Sequence, residues 1–118
     1  MDVKPVIEYY ESGKKQQEFW RVNGISHRVD GPCYIEYFES GEIERESWYL
    51  NGSLHRIDGP AYIEYNNTAV RIKEKYYIDG VLLEGEKLEK YKNWVQNNNL
   101  VGREWTDEGK VLWRLSWL

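Results

Sequence analysis

Apolar and polar residues alternate along much of this chain with a period of two. In one stretch, Ala61, Ile63 and Tyr65 fall on one side of an extended strand and the residues between them fall on the other. The stretch 44–50 alternates in the same way. Because successive side chains of a β-strand point to opposite faces, the pattern predicts a chain built mainly of β-strands.

Turn-forming residues separate these strands. Asn-Gly and Asp-Gly pairs favour type I′ hairpin turns, because both central residues of such a turn need positive φ. They occur at Asn23-Gly24, Asn51-Gly52 and Asp79-Gly80. A second kind of turn is predicted at residues 11–13 and 39–41, each ending in glycine. A third kind is predicted where proline opens the next strand, at Asp30-Gly31-Pro32 and Asp58-Gly59-Pro60.

The strands and turns recur at a fixed spacing of 28 residues. Residues 20–37 read WRVNGISHRVDGPCYIEY and residues 48–65 read WYLNGSLHRIDGPAYIEY. A partial copy is assigned to about 2–19, and a decayed copy to 76–85. Such self-similarity is typical of stacked repeats. The pattern predicts one domain, 1–118, with tandem 28-residue antiparallel β-hairpins at 20–47 and 48–75 stacked in one elongated, twisted sheet.

The pattern changes after the third copy. In the stretch 86–99, Leu88, Tyr91 and Trp94 recur at helical spacing, which predicts a helix. The stretch 100–118 is predicted to be a final hairpin. We expect the helix and this hairpin to cap an exposed sheet edge. The hairpin is also a candidate homodimer contact through its three tryptophans, Trp105, Trp113 and Trp117.

Composition and charge narrow the classes of function. The chain has 20 acidic and 16 basic residues, a net charge of −4, which argues against binding to nucleic acid. It contains neither an apolar run long enough to span a membrane nor an apolar N-terminal signal segment. The lone Cys33 aligns with Ala61 and is expected to be a small packing residue. We therefore expect a cytoplasmic protein without membrane contact, whose core depends on tryptophan and tyrosine.

The box H-R-x-D-G-P, at residues 27–32 and 55–60, is the most concentrated polar signal. In the structural interpretation, the Asp caps its turn, the Arg binds that carboxylate or a carbonyl, and the His donates a hydrogen bond while packing on the preceding repeat's aromatic ring. A His and Asp metal pair and acid–base chemistry remain alternatives, although further ligands and a nucleophile motif are lacking. A further alternative is a recognition strip for an anionic or acidic partner, formed by His27, Arg28, His55 and Arg56. No catalytic residue, metal or cofactor is predicted.

A second candidate surface consists of aromatic and basic positions expected to face outward. Exposed Tyr and Arg are typical anchors of protein interfaces. The candidates are Tyr49, Tyr77 and Arg21. The alternative is that a one-layer sheet carries aromatic residues on both faces. At the inward positions of the repeat, the expected ladder is Trp20, Trp48 and Tyr76.

The motif W-Y-x-N-G-x-x-H-R-x-D-G-P-A-x-I-E-Y resembles repeats of many phage and giant-virus proteins, which are grouped as a variant of the MORN repeat. The resemblance covers residues 2–83 and implies stacked β-hairpins in an elongated sheet. Family functions include scaffolding and, in some eukaryotic members, contact with membrane lipids. The basic faces that usually accompany lipid binding are lacking in this acidic chain.

These observations lead us to expect a non-enzymatic protein-binding repeat module. A viral or phage accessory protein that binds or inhibits a host factor in the host cytoplasm would fit the resemblance. One alternative is sequestration of an anionic, nucleotide-like small molecule by the His/Arg strip. Another is a structural or self-assembling protein.

Overall fold

The computed structural model describes residues 4–97, which form a mainly β structure, as predicted. The strands, in chain order, are β1 (Val6–Tyr9), β2 (Lys15–Phe19), β3 (Arg21–Val22), β4 (Ile25–Ser26), β5 (Tyr34–Tyr37), β6 (Ile43–Ser47), β7 (Tyr49–Leu50), β8 (Ser53–Leu54), β9 (Tyr62–Tyr65), β10 (Arg71–Ile78) and β11 (Val81–Leu83), followed by the helix α1 (Glu86–Asn97). One antiparallel sheet contains seven strands in the order β1-β2-β5-β6-β9-β10-β11. The remaining strands form two short ribbons, β3-β4 and β7-β8.

Three hairpins, β1-β2, β5-β6 and β9-β10, make up most of the sheet. Each has a register shift at an equivalent place, beside Tyr9, Tyr37 and Tyr65. In the third hairpin, Tyr65 is opposite Arg71 and the preceding Glu64 is opposite Lys73, so that the residue between these two partners bulges. A bulge locally increases the right-handed twist of a strand pair.

The turns of these hairpins close in the same way. The first is closed by a bond from Tyr10 N to Lys14 O, and bonds from Phe38 N to Glu42 O and from Asn66 N to Val70 O close the others. A residue with positive φ completes each turn: Gly13 at 88°, Gly41 at 98° and Ala69 at 63°. Because its Cβ disfavours positive φ, Ala69 adopts this conformation at an energetic cost that glycine avoids.

The Asn-Gly and Asp-Gly turns have the predicted positive φ, 51° at Asn23 and Asn51 and 47° at Asp79. The first two turns lie in ribbons β3-β4 and β7-β8, which are separate from the main sheet. This differs from the single sheet predicted. The strand breaks at Trp48, whose N–H donates to Ala61 O at 2.7 Å and whose carbonyl accepts from His55 N at 2.9 Å. In contrast, β10 continues without a break to Ile78, so that the Asp-Gly turn joins two strands of the main sheet.

Buried side chains form two groups. One belongs to the sheet hairpins and consists of Cys33, Ile35, Ala61 and Ile63. The other lies under α1, where Tyr91 and Val95 pack with Ile78 and Leu83. Partly buried apolar side chains surround this second group: Ile57, Tyr76, Leu88 and Trp94. The helix predicted over 86–99 is thus confirmed as far as Asn97, with its apolar stripe packed on the end of the sheet.

Part of the sequence-based prediction falls elsewhere. Residues 98–118 lie outside the described residues, and with them the predicted final hairpin, its tryptophans Trp105, Trp113 and Trp117, and the predicted homodimer contact. Within residues 4–97, no helix combines the length and the apolar character needed to cross a membrane.

Candidate functional site

The first H-R-x-D-G-P box is organised around the Arg28 guanidinium. It lies over the Trp20 ring, 3.8 Å from the centroid, which is a cation–π contact. Its Nε donates to the Asp30 carboxylate at 3.0 Å, and its terminal nitrogen donates to Pro32 O at 3.0 Å. The hydrogen bond from Arg28 holds the pKa of Asp30 below its usual value. A Cβ on Gly31 would come within 2.9 Å of the guanidinium carbon, which explains glycine at this position.

The second box repeats this arrangement around Arg56. Its guanidinium lies 3.9 Å from the centroid of the Trp48 ring. It donates to Asp58 at 3.0 Å and to Pro60 O at 3.2 Å. A Cβ on Gly59 would approach the guanidinium carbon to 3.0 Å. In both boxes the Arg makes the two contacts expected of it, to the carboxylate and to a carbonyl, and a third to the Trp.

The two histidines join each box to the turn of the following copy. His27 Nδ1 accepts a hydrogen bond from Asn51 N at 2.9 Å, and His55 Nδ1 accepts one from Asp79 N at 2.8 Å. His55 Nδ1 also lies 3.4 Å from the Asp79 carboxylate, a pairing that would require a protonated ring. The shorter backbone bond uses the Nδ1 lone pair, so we assign a neutral ring that carries its proton on Nε2.

The partner of each histidine differs from the prediction. Contact with an aromatic ring of the preceding repeat was expected, whereas Nδ1 accepts a bond from the following turn. The physical reason is the turn conformation. With Asn51 and Asp79 at positive φ, each turn directs its backbone N–H toward the neighbouring ribbon, where the imidazole nitrogen accepts it.

Backbone bonds reinforce this stacking and determine where the predicted aromatic surface lies. Arg28 N donates to Tyr49 O at 3.2 Å, and Arg56 N donates to Tyr77 O at 3.1 Å. The ribbon strands that carry these tyrosines therefore lie one after another. The Tyr49 and Tyr77 side chains are half-buried, whereas Arg21 is exposed and lies 4.6 Å from the centroid of the Phe19 ring.

The basic strip predicted for an anionic ligand is occupied by internal contacts. Each guanidinium is shared among a carboxylate, a carbonyl and an indole, and each His Nδ1 accepts a backbone N–H. An anion would have to compete with these groups. Within residues 4–97, His, Cys, Asp and Glu side chains form no group of three suited to hold a metal ion.

Cys33 is buried between the first box and strand β5. Its thiol donates to Trp20 O at 3.0 Å. Burial raises the pKa of the Cys33 thiol. A nucleophilic cysteine needs the opposite, a thiolate favoured by its surroundings. The side chain therefore acts as a packing residue, as its alignment with the buried Ala61 predicts.

A set of contacts between neighbouring hairpins was missed by the sequence analysis. The Tyr37 hydroxyl donates to Glu18, and the Tyr65 hydroxyl donates to Glu46 at 2.5 Å. Burial, followed by the hydrogen bond to Glu18, raises the pKa of Tyr37. The available signal was the 28-residue spacing of Glu18, Glu46 and Glu74, which the more conspicuous box obscured.

Comparison with known proteins identified no relative: no family model, curated protein or solved structure matches this chain. The resemblance to MORN-like repeats therefore rests on the sequence motif. The proposals that follow are argued from the contacts and the exposure of the described residues.

Proposed function

We infer that residues 20–75 are two tandem 28-residue units of a MORN-like repeat, flanked by partial copies. The support is that equivalent atoms make equivalent bonds. Examples are the bonds from Trp20 N to Cys33 O and from Trp48 N to Ala61 O. In a repeat protein of this kind, each unit contacts its neighbours, and the outer surface remains available for binding.

We propose that the chain is a non-enzymatic protein-binding module, and that it binds through the first-ribbon patch, defined as Val22, Ile25 and Val29. All three side chains are exposed, and Val22 is paired with Ile25 across the ribbon β3-β4. Exposed apolar side chains gathered within one short segment are a common mark of a protein interaction site. This exposure is the observation that carries the proposal.

A comparison with equivalent positions supports this choice of surface. Ile57 corresponds to Val29, and it packs against the group of apolar side chains under α1. Ile78 corresponds to Val22 and is buried in the same group. The chain thus covers these positions at its helical end, and we propose that a partner protein covers them at the first ribbon.

Nearby side chains suit an interface of this kind. Arg21 is exposed beside the patch, and Tyr49 lies in the neighbouring ribbon. Arginine and tyrosine are enriched among residues that contribute most to protein binding. On the basis of the sequence resemblance, we propose a host or viral protein as the partner and a viral or phage accessory protein in the host cytoplasm as the biological class.

A pull-down with matched variants tests the proposal. The patch variant combines Val22→Ser, Ile25→Ser and Val29→Ser. The control combines Val81→Ser and Leu82→Ser, two exposed apolar residues at the opposite end of the row of ribbons. We expect one stoichiometric partner from host lysate to bind the wild-type chain and the control, and to be lost from the patch variant.

Two results would contradict the proposal. One is equal partner capture by the patch variant and the control. The other is the absence of a protein partner together with tight nucleotide binding that Arg28→Ala and Arg56→Ala abolish in folded protein. That second result would favour sequestration of an anion instead. Circular dichroism of each variant establishes that loss of binding is not loss of folding.

A further inference from the structure

Two edges of the main sheet are open in the described part of the chain. Strand β1 pairs with β2 alone, and residues 71–75 of β10 pair with β9 alone. Every residue of 71–75 is exposed. The repeat pattern would place another strand beside β10, but that part of the chain forms α1 instead. Unpaired backbone groups at such an edge are a template for an added strand.

The two junctions between hairpins define how one hairpin joins the next. At the β2-β5 junction, Gln17 is opposite Glu36 and Glu18 is opposite Ile35. At the β6-β9 junction, the equivalent pairs are Arg45 with Glu64 and Glu46 with Ile63. The register is thus the same at both junctions, with each position moved by 28 residues. It can be extended by one more unit, from the open edge of β10 to a further strand of the β1, β5 and β9 type.

We propose that β1 of a second copy of this chain adds to the open edge of β10 in this register, so that copies associate head to tail. Lys73 would then lie opposite the second copy's Glu8, Glu74 opposite its Ile7, and Lys75 opposite its Val6. Strand β1 is the one strand in the described residues that has both the matching sequence and a free edge. The occupant is therefore a second copy of the same protein.

Charge complementarity supports this pairing. Within the chain, the Arg45 guanidinium lies between two carboxylates, 2.9 Å from Glu36 and 3.5 Å from Glu64. Lys73, at the equivalent position of the next hairpin, pairs with Glu64 at 3.3 Å on the β9 side, and its other side faces the open edge. The second copy's Glu8 would supply the second carboxylate there. Both edges carry the charge that the other requires.

The tyrosine–glutamate contact gives a second, independent match. At the two internal junctions, a hydroxyl from the incoming strand donates to a glutamate of the preceding hairpin, from Tyr37 to Glu18 and from Tyr65 to Glu46. The next members of the series are Glu74 on the open edge and Tyr9 on β1. Tyr9 is exposed at its edge. Head-to-tail association would bring the second copy's Tyr9 hydroxyl to the Glu74 carboxylate.

The geometry also determines the kind of assembly. Because the two edges differ, the contact is heterologous and each added copy presents a new free edge, which gives open linear oligomers. The lysines of the β10 edge oppose indiscriminate strand addition, since buried unpaired charge is costly. The pairing with Glu8 removes this obstacle for one strand. The contact is short and partly ionic, so association should weaken as salt screens the charges.

Sedimentation velocity of the full chain over a range of concentrations tests the assembly. We expect the mean size to grow with concentration, and Glu8→Lys or Lys73→Glu to raise the dissociation constant at least about tenfold. Combining Glu8→Lys with Lys73→Glu restores the opposite charges and should return the constant to near the wild-type value. Glu11→Lys and Lys87→Glu make the same charge changes at exposed positions away from both edges and should leave association unchanged.

Cysteine cross-linking tests the register. A chain with Glu8→Cys and Lys73→Cys should form a ladder of disulfide-linked oligomers on mild oxidation. A chain with Glu8→Cys and Lys75→Cys places the thiols two residues out of register, beyond the Cα separation of about 7 Å that a disulfide bridges. It should form far less of the ladder. Cys33 is buried and present in both chains.

Several results would overturn the proposal. They are a chain that stays monomeric at all concentrations, a closed dimer that does not grow, and equal cross-linking by the two cysteine pairs. Cross-linking of the β10 edge to residues 98–118 of the same molecule would also overturn it, because the edge would then be filled within the chain. The first-ribbon patch variant should assemble like the wild type, which separates this inference from the proposed function.

Discussion

The two H-R-x-D-G-P boxes make the same contacts in different surroundings. Each has an Arg between a Trp ring, an Asp and a Pro carbonyl, and a His that accepts an N–H from the following turn. The Asp30 side chain is nevertheless 81% exposed, whereas that of Asp58 is 24% exposed. Val29 is 64% exposed, and its counterpart Ile57 packs under α1.

The difference arises from what covers each box. At the second box, α1 lies over Ile57 and the Tyr91 hydroxyl donates to its carbonyl. Equivalent hydrogen bonds should contribute more to stability where water is excluded, because a group that loses its buried partner cannot be solvated. The comparison thus separates the effect of a contact from that of its environment, with the chemistry held constant.

Removing the cover should have the largest effect. Tyr91→Ala deletes a buried ring and its hydrogen bond to Ile57 O, and we expect it to lower the free energy of unfolding by about 3–5 kcal/mol. Tyr91→Phe, which removes only the hydroxyl, should cost about 1 kcal/mol. Urea unfolding followed by circular dichroism measures both. A cost below about 1 kcal/mol for Tyr91→Ala would mean that the helix contributes little to the second box.

The histidines test the comparison directly. His55→Ala leaves Asp79 N without its acceptor at a buried site, and we expect a loss of about 1–3 kcal/mol. His27→Ala removes the same bond from Asn51 N at a more exposed site, where water can replace it, so the loss should be about 0.5–1 kcal/mol. Equal losses in urea unfolding would show that burial does not distinguish the boxes.

The same kind of comparison can be made among the hairpin turns. Ala69 has φ of 63° where the other two hairpins have Gly13 and Gly41. Relief of that strain by Ala69→Gly should raise the free energy of unfolding by up to about 1 kcal/mol, less the entropy gained by the unfolded chain. Gly41→Ala should lower it by a similar amount, since nothing else hinders a Cβ there. A destabilising Ala69→Gly would contradict this account.

The smallest expected effect concerns the paired positions Cys33 and Ala61, which are both buried. Burial raises the Cys33 pKa, so the thiolate is disfavoured and alkylation of the folded chain at pH 7–8 should be much slower than that of the urea-unfolded chain. Cys33→Ala should change stability by less than about 1.5 kcal/mol. Mass spectrometry of iodoacetamide adducts measures the reactivity. Equal rates for folded and unfolded chain would contradict the burial.

Features set by local sequence could be predicted. The turn residues Asn23, Asn51 and Asp79 have positive φ because the Asn-Gly and Asp-Gly pairs favour it. The helix could be predicted from Leu88, Tyr91 and Trp94, because their spacing places them on one face. These signals require only neighbours in the chain.

Features that depend on distant partners could not be predicted. The break at Trp48 results from its bonds to Ala61 and His55, and alternation alone does not indicate a change of direction. The partner of His27 is a turn 24 residues further along, and no local rule identifies it. For the candidate site, sequence reasoning identified the Arg–Asp pairs, whereas which box is covered depends on where α1 packs.

The stacking of the ribbons also has a consequence for the chemical ageing of the protein. Deamidation at an Asn-Gly pair requires the glycine nitrogen to attack the asparagine side chain. The nitrogen of Gly52 is held by its bond to Ser26 O at 2.8 Å, whereas no ribbon precedes Gly24 within residues 4–97. We therefore expect Asn23 to deamidate before Asn51, so that old preparations gain negative charge at the first ribbon first.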